Sequence, residues 1–225
     1  MTTTSALDAR PSDRARALVQ GAYDLHVHVA PDVPRRRIDD RALALRFAER
    51  GIAAVAIDYF GRTAGAEKRG EDFDYMAHVE QTTPDGIKAD VRAAVQHLRP
   101  SAQSIFTVGF CFGGRYSWIS AADGHGLAGA AGFYGSPQER EWPGPIQRVD
   151  EMDCPILALQ AGDDRNITAE DNSAFEEALT RAGVEHELVT YEGAPHSFFD
   201  RKHEEFASDS EDAWRRVLTF VERYS

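Results

Sequence analysis

One stretch restricts the architecture more than any other. In Ile105-Phe106-Thr107-Val108-Gly109-Phe110-Cys111-Phe112-Gly113-Gly114-Arg115, an apolar run passes through a glycine-flanked cysteine into residues of helical period. A strand followed so abruptly by a helix needs a sharp reversal, and the residue at its apex is driven toward backbone angles that side-chain-bearing residues avoid. Small neighbours at Gly109 and Gly113 let the strand and the helix pass closely. Cys111 then stands at a helix N-terminus, where the dipole favours thiolate and the backbone N–H of Phe112 is aimed at a developing oxyanion. The bland alternative is a small buried cysteine in a glycine-rich turn. Cys154 precedes Pro155 at the head of an apolar run with no glycine turn, which suits a core position.

Around this turn, short apolar runs alternate with longer stretches of helical period, the pattern of strands joined by crossover helices. Strands are expected over 23–29, 52–58, 104–110, 127–134, 155–161 and 185–191, several too apolar to have a wet face. Helices are expected over 39–50, 84–98, 112–122, 168–182 and 205–224. Thr168 with Asp171 three residues on reads as a helix start, and Gly51 and Gly183 as helix stops. The resulting fold class is α/β, a mostly parallel doubly wound sheet of about six strands flanked by helices. Residues 1–20 are polar, an arm or surface helix, and 21–225 form a single domain. Residues 61–83 lack a clear period and read as a long excursion loop.

Composition narrows the partners. The formal net charge of −12 repels phosphate backbones and anionic membranes, so neither nucleic acid nor a membrane surface is expected to bind. Only two cysteines are present, too few for a disulfide framework or a zinc ribbon, and they suit a reducing compartment. The opening residues hold no apolar signal region, so a cytoplasmic location is expected.

A nucleophilic thiol needs a base, and the base needs an orienting group. Where a strand–turn–helix carries the nucleophile, the acid and then the histidine follow at the ends of later strands. The run 155–161 leads into Gly162-Asp163-Asp164-Arg165-Asn166-Ile167, and the run 185–191 into Glu192-Gly193-Ala194-Pro195-His196-Ser197-Phe198. Asp164 is the better acid because Ile167 can anchor the loop beneath it, and Asp163 is the alternative. Taken alone, Gly162-Asp163-Asp164 could equally be a capped turn. Of the eight histidines, His196 is the one that follows a strand in the required order.

At these residues the chain resembles the dienelactone hydrolase family of α/β-hydrolases. Gly109-Phe110-Cys111-Phe112-Gly113-Gly114, Gly162-Asp163-Asp164-Arg165-Asn166-Ile167 and Gly193-Ala194-Pro195-His196-Ser197-Phe198 carry the likeness. Ala53 to Arg62 is similar to the strand and turn before that family's excursion loop. The resemblance implies Cys111 as nucleophile, His196 as base and Asp164 as orienter, acting on small esters or lactones with no metal or organic cofactor. The N-terminal strands of the family are missing here or replaced. Tyr23 to Val33 stands in the place of the apolar strand and acid-bearing loop that follow them in the family, so that the resemblance makes Asp32 correspond to an acid beside the resting thiol and the N–H of Val33 join that of Phe112 in the oxyanion hole. Arg62, Arg69, Arg115 and Arg201 are candidates for a substrate carboxylate.

Two readings compete with a lactone hydrolase of this kind. One is a broad carboxylesterase or thioesterase with the same triad; the other is a binding protein whose altered N-terminal segment no longer completes an oxyanion hole. Separately, Asp24-Leu25-His26-Val27-His28 resembles the first strand of amidohydrolases, since alternation on a strand points His26 and His28 to one face. A hydrolytic zinc centre needs a third protein ligand and an open position. The barrel that carries such centres takes about 250 residues and eight strands. The chain's 225 residues fall short, so a metal at His26 and His28 is the weaker alternative.

Overall fold

A computed structural model describes residues 40–65 and 73–225 of the protein. Four strands form one fully parallel sheet in the order β1 (Phe106–Phe110), β2 (Gly129–Phe133), β3 (Ile156–Asp163) and β4 (His186–Pro195). The helices are α1 (Asp40–Glu49), α2 (Gly61–Ala64), α3 (Met76–Val79), α4 (Pro84–Leu98), α5 (Phe112–Ser120), α6 (Ala169–Ala182) and α7 (Ala207–Tyr224), with a 3₁₀ turn at Ile146–Glu151.

Period-two alternation sorts the strand residues onto two apolar layers. Ala130, Ile156 and Ala158 face the layer built with Ile87 and Val91 of α4, Trp118 of α5 and Phe175 and Leu179 of α6. Ala131, Phe133, Leu157 and Leu159 face the opposite layer, built with Phe47 of α1 and Trp214, Val217 and Phe220 of α7. Helices therefore cover both faces, which is why the central strand β2 is apolar and buried along its whole length, whereas the edge strand β4 carries polar residues such as His186, Glu187 and Thr190.

Local chemistry sets the helix ends. The Thr168 hydroxyl accepts the N–H of Asp171 while the Asp171 carboxylate accepts the N–H of Thr168, closing a capping box on α6. Gly183, at φ 72°, ends the same helix in the left-handed region, where a side chain would strain.

The sheet differs from the expected one at its N-terminal side. The run 52–58 makes no ladder among the described residues, and 23–29 lies outside them, so the described residues hold four strands where about six are expected of the chain. Strand geometry needs a hydrogen-bonded neighbour, and the described residues provide none for 52–58. The excursion loop contains α2 and α3, short turns that pattern alone does not reveal. No described helix is long and apolar enough to cross a membrane.

Candidate active site

Because all four strands run in parallel, their C-terminal ends share one edge of the sheet, and the loops leaving that edge converge. β1 delivers Cys111 there at φ 53°, ψ −114°, outside the ordinary regions for a residue with a side chain. Glycines make that reversal possible. A Cβ at Gly109 would lie 2.0 Å from the Gly113 carbonyl oxygen, and one at Gly114 would lie 2.6 Å from that of Phe133. The backbone is also tied down, as the Cys111 N–H donates to the Phe133 carbonyl at 2.9 Å and the Cys111 carbonyl accepts the Arg115 N–H at 3.1 Å. Phe112 opens α5, so its N–H is among those a helix leaves without an intrahelical acceptor.

β3 and β4 supply the two other groups. Asp164 follows the last residue of β3, and its fully buried carboxylate meets Nδ1 of His196 at 2.5 Å. Its second oxygen accepts the N–H of Asn166 at 2.9 Å, while Ile167, 4% exposed, anchors the loop from below. Asp163 instead closes the β3–β4 ladder opposite Pro195 and is exposed. Burial by itself would raise the Asp164 pKa, but the hydrogen bonds from His196 and Asn166 outweigh it and hold the carboxyl below its usual range.

His196 follows β4. Burial by itself would lower its pKa; the hydrogen bonds with Asp164 and Cys111, with the electrostatic attraction that accompanies them, override burial and raise it to about 9. Imidazolium is thus the favoured form at neutral pH, poised between a carboxylate and a sulfur. This arrangement can take the thiol proton, hold it and return it to a leaving group. Cys154 contrasts with it: buried in an apolar layer, its thiol is pushed up to about 12 by burial and stays protonated.

The arginines separate by environment. Arg115 is buried and donates to the carbonyls of Ser136, Gln138 and Trp142, pinning the loop that follows β2, while burial pulls its pKa down. Both of its terminal guanidinium nitrogens are thereby engaged by backbone carbonyls of the fold. Arg62 is exposed and pairs with Asp90 at 2.5 Å. Arg201 is partly exposed in the turn after His196. Asp32, Val33, His26, His28 and Arg69 lie outside the described residues. Among the described residues no cluster of His, Cys, Asp and Glu could hold a metal ion.

Two residues to which sequence reading gives no role in the site nevertheless frame it. Tyr134, fully buried at the end of β2 with φ 35°, sets its ring 4.9 Å from that of His196. Tyr59 sets its ring edge-on to Phe112 at 5.8 Å. The only sequence hint for Tyr134 is its place before Gly135, at the end of a strand lying between the nucleophile strand and the acid strand.

The profile of the dienelactone hydrolase family matches residues 28–225. The chain belongs to that family. A carboxymethylenebutenolidase of Rhodococcus opacus is 30% identical over 195 residues, covering 82% of this chain and 75% of its own. A protein named putative carboxymethylenebutenolidase in Escherichia coli K12 is 26% identical over 219 residues, covering 92% and 76%. Among solved structures, a putative dienelactone hydrolase from Klebsiella pneumoniae superposes with a TM-score of 0.68 at 24% identity, over 82% of this chain and 80% of that one. A dienelactone hydrolase-like promiscuous phosphotriesterase from metagenomic libraries superposes at 0.64 and 20% identity, over 84% and 82%. Both superpositions place the chain in the α/β-hydrolase fold.

Proposed function

We propose that this protein hydrolyses small esters or lactones through an acyl-thioenzyme on Cys111. The observation that carries the reading is the contact chain from the sulfur of Cys111 to His196 and on to the buried carboxylate of Asp164, at a strained turn heading a helix. His196 takes the thiol proton, and the thiolate attacks the carbonyl carbon. The ester C–O bond then breaks as the imidazolium of His196 gives its proton to the departing oxygen. Water, deprotonated by the now neutral His196, attacks the thioester, the C–S bond breaks, and the carboxylic acid leaves. Asp164 holds His196 in orientation and offsets its charge.

The oxyanion is received by the N–H of Phe112, with the N–H of Val33 as its proposed partner, and each such donor contributes on the order of 10²-fold or more to the rate. The names of the relatives support a small ester or lactone as substrate. Mass spectrometry of protein quenched during turnover tests the mechanism. An acyl increment is expected on the peptide holding Cys111, and turnover with no increment there, together with undiminished activity after thiol alkylation, would refute it.

A further inference from the structure

Among the described residues, three other than glycine sit at positive φ: Cys111 at 53°, Tyr134 at 35° and Ser197 at 67°. Such angles are costly, persist only where the surroundings over-determine them, and gather at working sites. Cys111 is the nucleophile of the reading above, and Ser197 directly follows His196. Tyr134 has no part in that reading. Gly135 is next in the chain, yet the positive φ falls on the tyrosine. The glycine answers a different need, since a Cβ there would lie 2.6 Å from the backbone nitrogen of Arg115.

The angle at Tyr134 decides where its ring goes. Were β2 to continue, alternation would send the side chains of Phe133 and Tyr134 to opposite faces. Both lie instead in one apolar layer, because the turn at φ 35° brings the Tyr134 ring round to the side of Phe133. There the ring is tilted 56° to that of His196 at 4.9 Å and stands edge-on to that of Phe198 at 5.7 Å. Neighbouring bonds hold the backbone. The Tyr134 N–H donates to the Leu159 carbonyl at 2.8 Å. The Gly135 carbonyl accepts Nε2 of the fully buried Gln160 at 3.0 Å, and the same amide donates to Asn172 of α6 at 2.8 Å. Just before the turn, the Phe133 carbonyl receives the Cys111 N–H. One short segment thus ties the backbone of the nucleophile to the ring beside the base.

We propose that Tyr134 is a positioning residue, whose ring fixes the plane of the His196 imidazole so that the nitrogen not bonded to Asp164 stays on the Cys111 sulfur. The proposal rests on the reading of His196 as the base. The hydrogen bond between Nδ1 and Asp164 holds one corner of the imidazole, and the torsion that sets a histidine ring plane is soft. The His196 side chain is also 30% exposed, so its open side offers no restraint. A rigid ring on the other side, itself packed against Phe110 and Phe198, removes that swing. Misplacement by about 1 Å can cost on the order of 10²-fold in rate.

Nuclear magnetic resonance on the full chain tests the contact without substrate. Cross-relaxation is expected between the ring protons of Tyr134 and the carbon-bound imidazole protons of His196 in the unsubstituted protein, and its absence would overturn the proposal whether or not any variant folds. Tyr134→Phe keeps the ring and is expected to hold kcat within about twofold. Tyr134→Leu removes the flat face and is expected to lower kcat about tenfold or more, with KM changed by less than about twofold, when assayed well below the melting temperature of the variant. Undiminished kcat in the leucine variant would overturn the proposal, as would a phenylalanine variant that loses as much as the leucine one. Failure of the hydrolase reading would show separately, in the turnover of the unsubstituted protein, while the ring contact is read without turnover.

Discussion

Cys111 is held at a backbone angle few residues tolerate, with the imidazole of His196 in hydrogen-bonding reach of its sulfur. Replacing Cys111 by Ala is expected to lower kcat/KM by on the order of 10⁴-fold or more, with the far-ultraviolet circular dichroism unchanged because alanine fits the same turn. His196→Gln is expected to cost on the order of 10³-fold or more, whereas the same change at the exposed His97 leaves the rate as it was; steady-state assay of a short-chain chromogenic ester checks both.

The sign of the pH dependence follows from the direction of each shift. His196 is raised to about 9 in the folded protein, so the stability it contributes is fully present below its unfolded value of about 6.5 and is lost as pH rises through 9. Asp164 is lowered, so its contribution is present above its unfolded value of about 3.9 and is lost as pH falls through its folded value. A kcat/KM profile is expected to decline as pH rises through about 9, where the imidazolium that protonates the leaving oxygen disappears. A profile flat across that range would contradict the assignment of His196 as the acid. At this scale the sequence was highly legible, since Cys111, Asp164 and His196 each sit in a short motif at a strand end. The ring of Tyr134 against His196 was not, because that contact joins residues more than one strand apart with no local pattern to announce it.

The elements that carry these residues owe their limits to local chemistry. The capping box of Thr168 and Asp171 is readable in four residues of sequence. Thr168→Ala is expected to cost about 1 kcal/mol, which a thermal melt would register as a fall of about 2–4 °C in Tm. Arg115 teaches the opposite lesson. Its type and its place one turn beyond Cys111 suit a substrate-binding group, but burial and three carbonyl acceptors commit it to the loop after β2. The run 52–58 has the composition of a strand and no ladder, because strand formation depends on a neighbour that composition cannot supply.

For the whole molecule, stability resides in two apolar layers on either side of the sheet, and β3 is the strand shared most fully between them. Leu157, with 0% of its surface exposed, has no room to relax if truncated. Leu157→Ala is expected to cost about 2–5 kcal/mol, seen as a lower midpoint of denaturant unfolding at unchanged slope. A loss under 1 kcal/mol would mean that the layer rearranges around the cavity.

What the sequence determined by itself is whatever depends on near neighbours along the chain: the glycine-flanked reversal at Cys111, the capped start of α6, the period-two runs, and the order of nucleophile, acid and histidine. Tertiary structure decided which of two adjacent aspartates turns toward His196 and what Arg115 binds. Those outcomes depend on contacts between residues far apart in the chain, and each is settled by a competition for burial and for hydrogen-bond partners that exists only once the layers have packed.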